Sequence, residues 1–189
     1  MSKETLEWLN TNTLIGFTAK RGNAWHYRAG ADNHYEGAIP VEDVQKRLFD
    51  WEAKEGPVLV QVDMGDGNFI TVPAEGRNAI YHSTTHHVMG IFKDGYQPHQ
   101  FSEWLVTNVA HLVDDDLAIG SAGLLKGGAV AWVSVEVPDT ITTPEGVEFR
   151  PHLTACTSFD GSLATNYKRN VTAVVCDNTL TSALGEKGQ

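Results

Sequence analysis

The sequence predicts an α+β fold: an antiparallel sheet or meander with helices packed on it, ending in a β-β-β-α-like unit. Three observations predict it. Val58–Val62 and Phe69–Val72 flank Gly65-Asp66-Gly67-Asn68, and Gly and Asp tolerate the positive φ angles of a tight hairpin turn. Phe101, Trp104, Leu105, Val109 and Leu112 recur at helical spacing, which marks an amphipathic helix. Residues 117–175 then read as successive strands before a terminal helix signal.

Taken in order, residues 1–33 read as an irregular N-terminal arm, with Trp8, Leu9, Leu14, Ile15 and Phe17 available to lie across the domain. Pro40 opens a helix, a position where its missing N–H costs nothing. Val44, Leu48 and Trp51 form its apolar stripe, and Gly56-Pro57 closes it. The Gly65–Asn68 hairpin follows, then a second strand pair, Ala79–His82 with Val88–Phe92. After Tyr96-Gln97-Pro98 comes the helix over 101–112, ended by Asp114-Asp115-Asp116. Strands are expected over 117–125 and 130–137 around a Lys126-Gly127-Gly128 turn, with Val130–Val137 alternating apolar and polar. Two more are expected over 147–159 and 165–175, and Asp177-Asn178 then offers an N-cap for a helix carrying Leu180, Ala183 and Leu184. No repeat or long linker divides the chain, so residues 1–189 read as one domain.

Composition narrows the function classes. With 41% hydrophobic and 20% charged residues the chain is too apolar for disorder. A net charge of -10 disfavours nonspecific attraction to phosphates and anionic membranes, although a local basic stripe can still bind them. No run of about 18 apolar residues predicts a membrane span, and the N-terminus lacks the order of a signal peptide. Cys156 and Cys176 both lie in apolar runs and read as reduced, buried thiols, which suits a cytoplasmic setting.

Several patterns touch on chemistry without completing a motif. His82, His86 and His87 cluster as HSTTHH, a weak metal candidate without a neighbouring carboxylate or thiolate. Asp114–Asp116 reads as a solvated helix stop. Gly120–Gly128 lacks the Ser or Thr that follows the lysine of a phosphate loop. No cofactor is expected. More suggestive is a set of cations and aromatics in the last third: Lys126, Arg150, Lys168 and Arg169, with Tyr167 and Trp132. Cations that track a backbone and rings that stack on bases are how single strands are held. The competing reading makes Lys168-Arg169 a solvated hairpin end and Trp132 core.

Several blocks also resemble a phage/plasmid-like family carrying the domain of unknown function 932. They are Ala24-Trp25-His26, Met89-Gly90-Ile91-Phe92, Tyr96-Gln97-Pro98, Ser121–Gly128, Ser158-Phe159-Asp160-Gly161-Ser162 and, most specifically, Val174-Val175-Cys176-Asp177-Asn178-Thr179-Leu180. The resemblance implies a mobile-element origin in a bacterial host and a further C-terminal helical region that this chain lacks. It implies no activity. At the level of fold, the terminal β-β-β-α unit is similar to the core of phage recombinases that anneal single strands.

Together these readings lead to a non-enzymatic protein of DNA metabolism that binds or anneals single-stranded DNA as a homo-oligomer. Two alternatives have clear discriminators. A structural or host-interaction protein would show a broad exposed apolar patch and no basic groove. A nucleotide-processing enzyme would bring at least two of Trp25-His26, Asp160, Cys176 and Asn178 within hydrogen-bond reach, or recruit the histidines.

Overall fold

The structure is a computed structural model that describes residues 2–111, 118–137 and 140–186. Its centre is a five-stranded antiparallel sheet in the order β1-β5-β6-β9-β10, built from β1 (Thr13–Ile15), β5 (Ala118–Leu125), β6 (Val130–Glu136), β9 (His152–Ser158) and β10 (Asn166–Asn170). A three-stranded sheet, β2 (Ala53–Gly65), β3 (Asn68–His82) and β4 (Val88–Lys93), stands beside it, and β7 (Ile141–Thr142) and β8 (Glu148–Phe149) make a small hairpin. The α+β architecture with antiparallel sheets is therefore as expected.

Both faces of the five-stranded sheet are covered. Ala131, Val133 and Val135 of β6 share one face with Leu14, Ala122, Leu124 and Ala155, against Val44 and Leu48 of α3 (Val41–Leu48). A π-helical segment, Ser102–Thr107, runs into α4 (Asn108–Ala110) and adds Leu105, Val106 and Val109. On the opposite face Val130, Trp132 and Cys156 meet Leu9 of α1 (Leu6–Asn12) and Leu180 and Ala183 of α5 (Asp177–Gly185). Every residue of β6 is buried, so its apolar/polar alternation does not mark a solvated face. Its polar members lie inside: Ser134 shares a 3.1 Å hydrogen bond with Thr154, whose hydroxyl donates to Asn170, and Glu136 is ion-paired with Arg21 at 3.2 Å while its Oε1 accepts no hydrogen bond.

Four local expectations change. Residues 2–33 hold three short elements in an otherwise irregular run: α1, β1 and α2 (Thr18–Arg21), with β1 an edge strand paired to β5. Gly56-Pro57 does not end α3, which stops at Leu48; it sits in β2, an edge strand where a missing N–H is tolerated, next to an irregularity between Pro57 and Leu59. The strand expected over 165–175 is only Asn166–Asn170. The cap of α5 is Cys176 rather than Asp177-Asn178, with Thr179 Oγ1 accepting from the Val175 and Cys176 amides at 2.8 and 3.0 Å. The expected stop at Asp114–Asp116 lies outside the described residues.

The hairpin is much longer than the short strands read from sequence. Asp66 and Gly67 both have positive φ, 56° and 78°, the pattern of a primed two-residue turn. Behind the turn, among the described residues, Leu59–Gly65 pair with Asn68–Pro73 and with no other strand, whereas β4 pairs with Arg77–Tyr81. The distal segment is thus a two-stranded ribbon, about 24 Å long at 3.4 Å per residue, projecting from a three-stranded base. The base is anchored. Ile80 and Met89 join the main core, and the Gln100 side chain bonds both Ala53 N and Ala53 O at the open edge of β2.

Candidate functional site

The six residues expected to hold a nucleic acid do not converge. Trp132 is fully buried, with the space beside its ring supplied by Gly123, so it is core and offers no stacking surface. Lys126 lies at one end of the sheet, where Nζ donates to Asp160 Oδ2 at 2.9 Å and to Ser162 Oγ at 2.8 Å. Arg150 lies beyond the far end of β9, about 26 Å from Ser158 along that strand, and bonds Thr140 Oγ1 at 3.2 Å. Alternation along β10 splits the remaining three. Lys168 turns towards α5 and donates to Leu184 O near the helix's C-terminal end, where a cation is favoured. Tyr167 and Arg169 point the other way and are exposed, with Tyr167 Oη donating to Trp104 O at 3.3 Å. A groove of about 300 Å³ bordered by Phe92, Tyr96, His99 and Thr165 includes neither of them in its lining.

The histidine cluster forms a turn. His82 Nδ1 accepts from the Thr84 and Thr85 amides at 3.1 and 3.3 Å, and its ring stacks on Trp51 with centroids 3.9 Å apart. His86 has a positive φ of 58°, and His87 packs beside Gly127. Among the described residues no group of three or more His, Cys, Asp or Glu is placed to hold a metal ion.

Nor do the residues of an enzymatic cleft meet. His26 Nε2 is bonded to Val175 O, Asp160 to Lys126 and Ser162, and Cys176 to Thr179. Asn178 is exposed at the second position of α5. Burial raises the Cys156 thiol to about 11, which leaves it protonated and unreactive. Burial would raise Asp160 too, but the hydrogen bonds from Lys126 and Ser162 outweigh it and bring the carboxyl down to about 2.

What the sequence blocks do bring together is backbone. Gly90 of β4 packs so closely on Phe159 O and the Phe92 ring that a Cβ has no room. Lys126 and Gly127 adopt left-handed φ of 52° and 66°, and Gly161, at 71°, closes the Asp160 turn against Phe92. The glycines at 90, 127 and 161 therefore serve a joint between the sheet and the base of the β2–β3 ribbon.

The ribbon itself is the most unusual surface of the molecule. Register pairs Val60 with Val72 and Val62 with Ile70 on one face, while Leu59–Pro73, Gln61–Thr71 and Asp63–Phe69 occupy the other. Leu59 (59% exposed), Met64 (61%) and Phe69 (56%) leave more than half their surface in water, and Val60, Val62 and Ile70 more than a third. Sequence reading found the turn but not this exposure. The one signal was that Val58-Leu59-Val60-Gln61-Val62 is apolar almost throughout, which suits a strand covered on both sides.

Fold and surface together define an α+β protein with an apolar β-ribbon and scattered cations. The chain belongs to the family described as Domain of unknown function (DUF932), whose model matches residues 88–189, more than half of its length. The ribbon lies outside the matched segment. No curated protein and no solved structure matches the chain. No helix among the described residues is long and apolar enough to cross a membrane.

Proposed function

We propose that this is a structural or host-interaction protein that works without catalysis, by presenting the β2–β3 ribbon to another protein. One observation carries the reading: a two-stranded ribbon, marginal in water when left alone, exposes six large apolar side chains beyond the domain that anchors it. Exposed apolar patches of this kind mark interaction surfaces. The dispersed positions of Lys126, Arg150 and Lys168, each occupied by an internal partner, favour it over a basic groove. A photo-crosslinking residue at Val62 in producing cells should capture a protein, and the same group at Lys46 on α3 should not. Absence of any adduct at Val62 would count against the reading.

Tyr167 and Arg169 support a second reading, the binding of single-stranded DNA, because they are exposed two residues apart on one face of β10. A ring and a cation in that arrangement suit a stacked base and its phosphate. Fluorescence anisotropy with a labelled oligonucleotide at about 50 and 200 mM salt tests it. Binding that weakens with salt and drops in Tyr167→Ala/Arg169→Ala supports this reading, and no binding at micromolar protein removes it.

A further inference from the structure

We infer that the occupant of the ribbon is a second copy of this chain, packed as a two-fold dimer in which the ribbons lie antiparallel on their Val60, Val62, Ile70 and Val72 faces. The inference rests on the reading of the ribbon as an interaction surface and names its partner.

Charge is the first argument. The chain carries -10 overall, so two copies repel wherever acids face each other. The Val60–Val72 and Val62–Ile70 ladder contains no charged or hydrogen-bonding side chain, and Asp63 projects from the opposite face. This face is where two like-charged copies can touch without opposing carboxylates. A flat ladder of β-branched residues also offers a foreign partner no polar group to recognise. An identical ladder, by contrast, interdigitates with it as two sheets do about 10 Å apart.

Geometry supplies the second argument. In an antiparallel pair the tip of each ribbon, carrying Met64, reaches the base of the other. There β4 exposes Val88 (53%) and Ile91 (55%). A two-fold axis makes that contact reciprocal: tip to base, and base to tip. Val60, Val62 and Ile70 of the ribbon, with Val88 and Ile91 of the base, each leave more than a third of their surface in water, the kind of exposed apolar surface that interfaces cover.

The test is sedimentation velocity and equilibrium on the full chain, from about 1 to 100 µM, at about 50 and 500 mM NaCl. A species of twice 20.7 kDa is expected, and its dissociation constant should fall as salt screens the net charge. Val62→Glu/Ile70→Glu should be monomeric throughout. Val62→Thr/Ile70→Thr, which keeps strand propensity if the glutamates disturb folding, should dissociate at least tenfold more readily. A monomer at 100 µM in both salts overturns the inference, as does a dimer unchanged in both variants. The Val62 crosslink separates the two levels. An adduct of twice the chain mass supports the dimer. An adduct only with a different protein overturns the dimer and keeps the interaction surface. No adduct from a monomeric chain removes both.

Discussion

At the level of single residues, close packing and buried charge make distinct demands. Gly123 faces the Trp132 ring across the β5–β6 pair, and a Cβ there would overlap it. Gly123→Ala should therefore cost about 1–3 kcal/mol, as overpacking of a dense core does, and a denaturant titration will measure it. A cost under about 0.5 kcal/mol would mean the indole can move aside. His152 carries a different demand. Burial, with Arg21 and Arg150 nearby, holds its imidazole down to about 4. Its 3.4 Å contact with Glu136 is thus made by a neutral ring at neutral pH, and the charge partner of Glu136 is Arg21, at 3.2 Å. The unfolded chain protonates this histidine near 6.5 and the folded chain only near 4. The unfolded state then binds the extra proton between those values, and stability falls as pH drops through that window. His152→Asn should flatten the fall by about one proton's worth, about 1.4 kcal/mol per pH unit at most. An unchanged slope would locate the titration elsewhere.

At the level of elements, the start of α5 shows how local signals can be right in kind and shifted in place. Asp177-Asn178 suggested a cap, and a cap is there, but the side chain that serves it is Thr179 reaching back to two amides. Asp177 instead accepts from Lys3 N at 2.8 Å and so ties the N-terminal segment to the last helix. Thr179→Val should cost about 1 kcal/mol in thermal or chemical unfolding, while Asn178→Ala stays within about 0.5 kcal/mol. The reverse order would restore the cap to Asn178. The helix over 102–110 was legible from Phe101, Leu105 and Val109, whose burial matches their spacing. Its π geometry was not, because nothing in side-chain periodicity specifies one extra residue per turn.

For the molecule as a whole, local pattern and long-range pairing explain what was legible. The α+β class and the hairpin turn could be read because period and turn chemistry are local. The union of β1 with β5 joins Leu14 to Ala122 across more than a hundred residues, and no local rule predicts that. The same limit explains the site. Lys168 and Arg169 are neighbours in sequence, but strand alternation sends them to opposite faces, and Lys126 and Arg150 sit at opposite ends of the sheet. Architecture also predicts a gradient of local stability. Amides of β5 and β6, buried on both faces, should exchange hydrogen only on global unfolding, and those of the ribbon beyond Leu59 far sooner. Slow exchange in the ribbon that speeds up in Val62→Glu/Ile70→Glu would report its coverage by a neighbour, and uniform protection across ribbon and sheet in that variant would contradict the gradient.

The strand order β1-β5-β6-β9-β10 also sets a timetable on the ribosome. Leu9, Val44 and Leu48 emerge long before β5, β6 and β9, the surfaces on which they will rest. At about 5–20 residues per second the wait lasts several seconds. Throughout it the nascent chain shows its apolar helix faces and, with them, both strands of the apolar hairpin. Polysomes bring many such chains close together, so the dimer proposed above has its contact surface available before either body has folded. Nascent chains of this protein should therefore lean heavily on ribosome-associated chaperones, and a codon-slowed second half would lengthen that dependence.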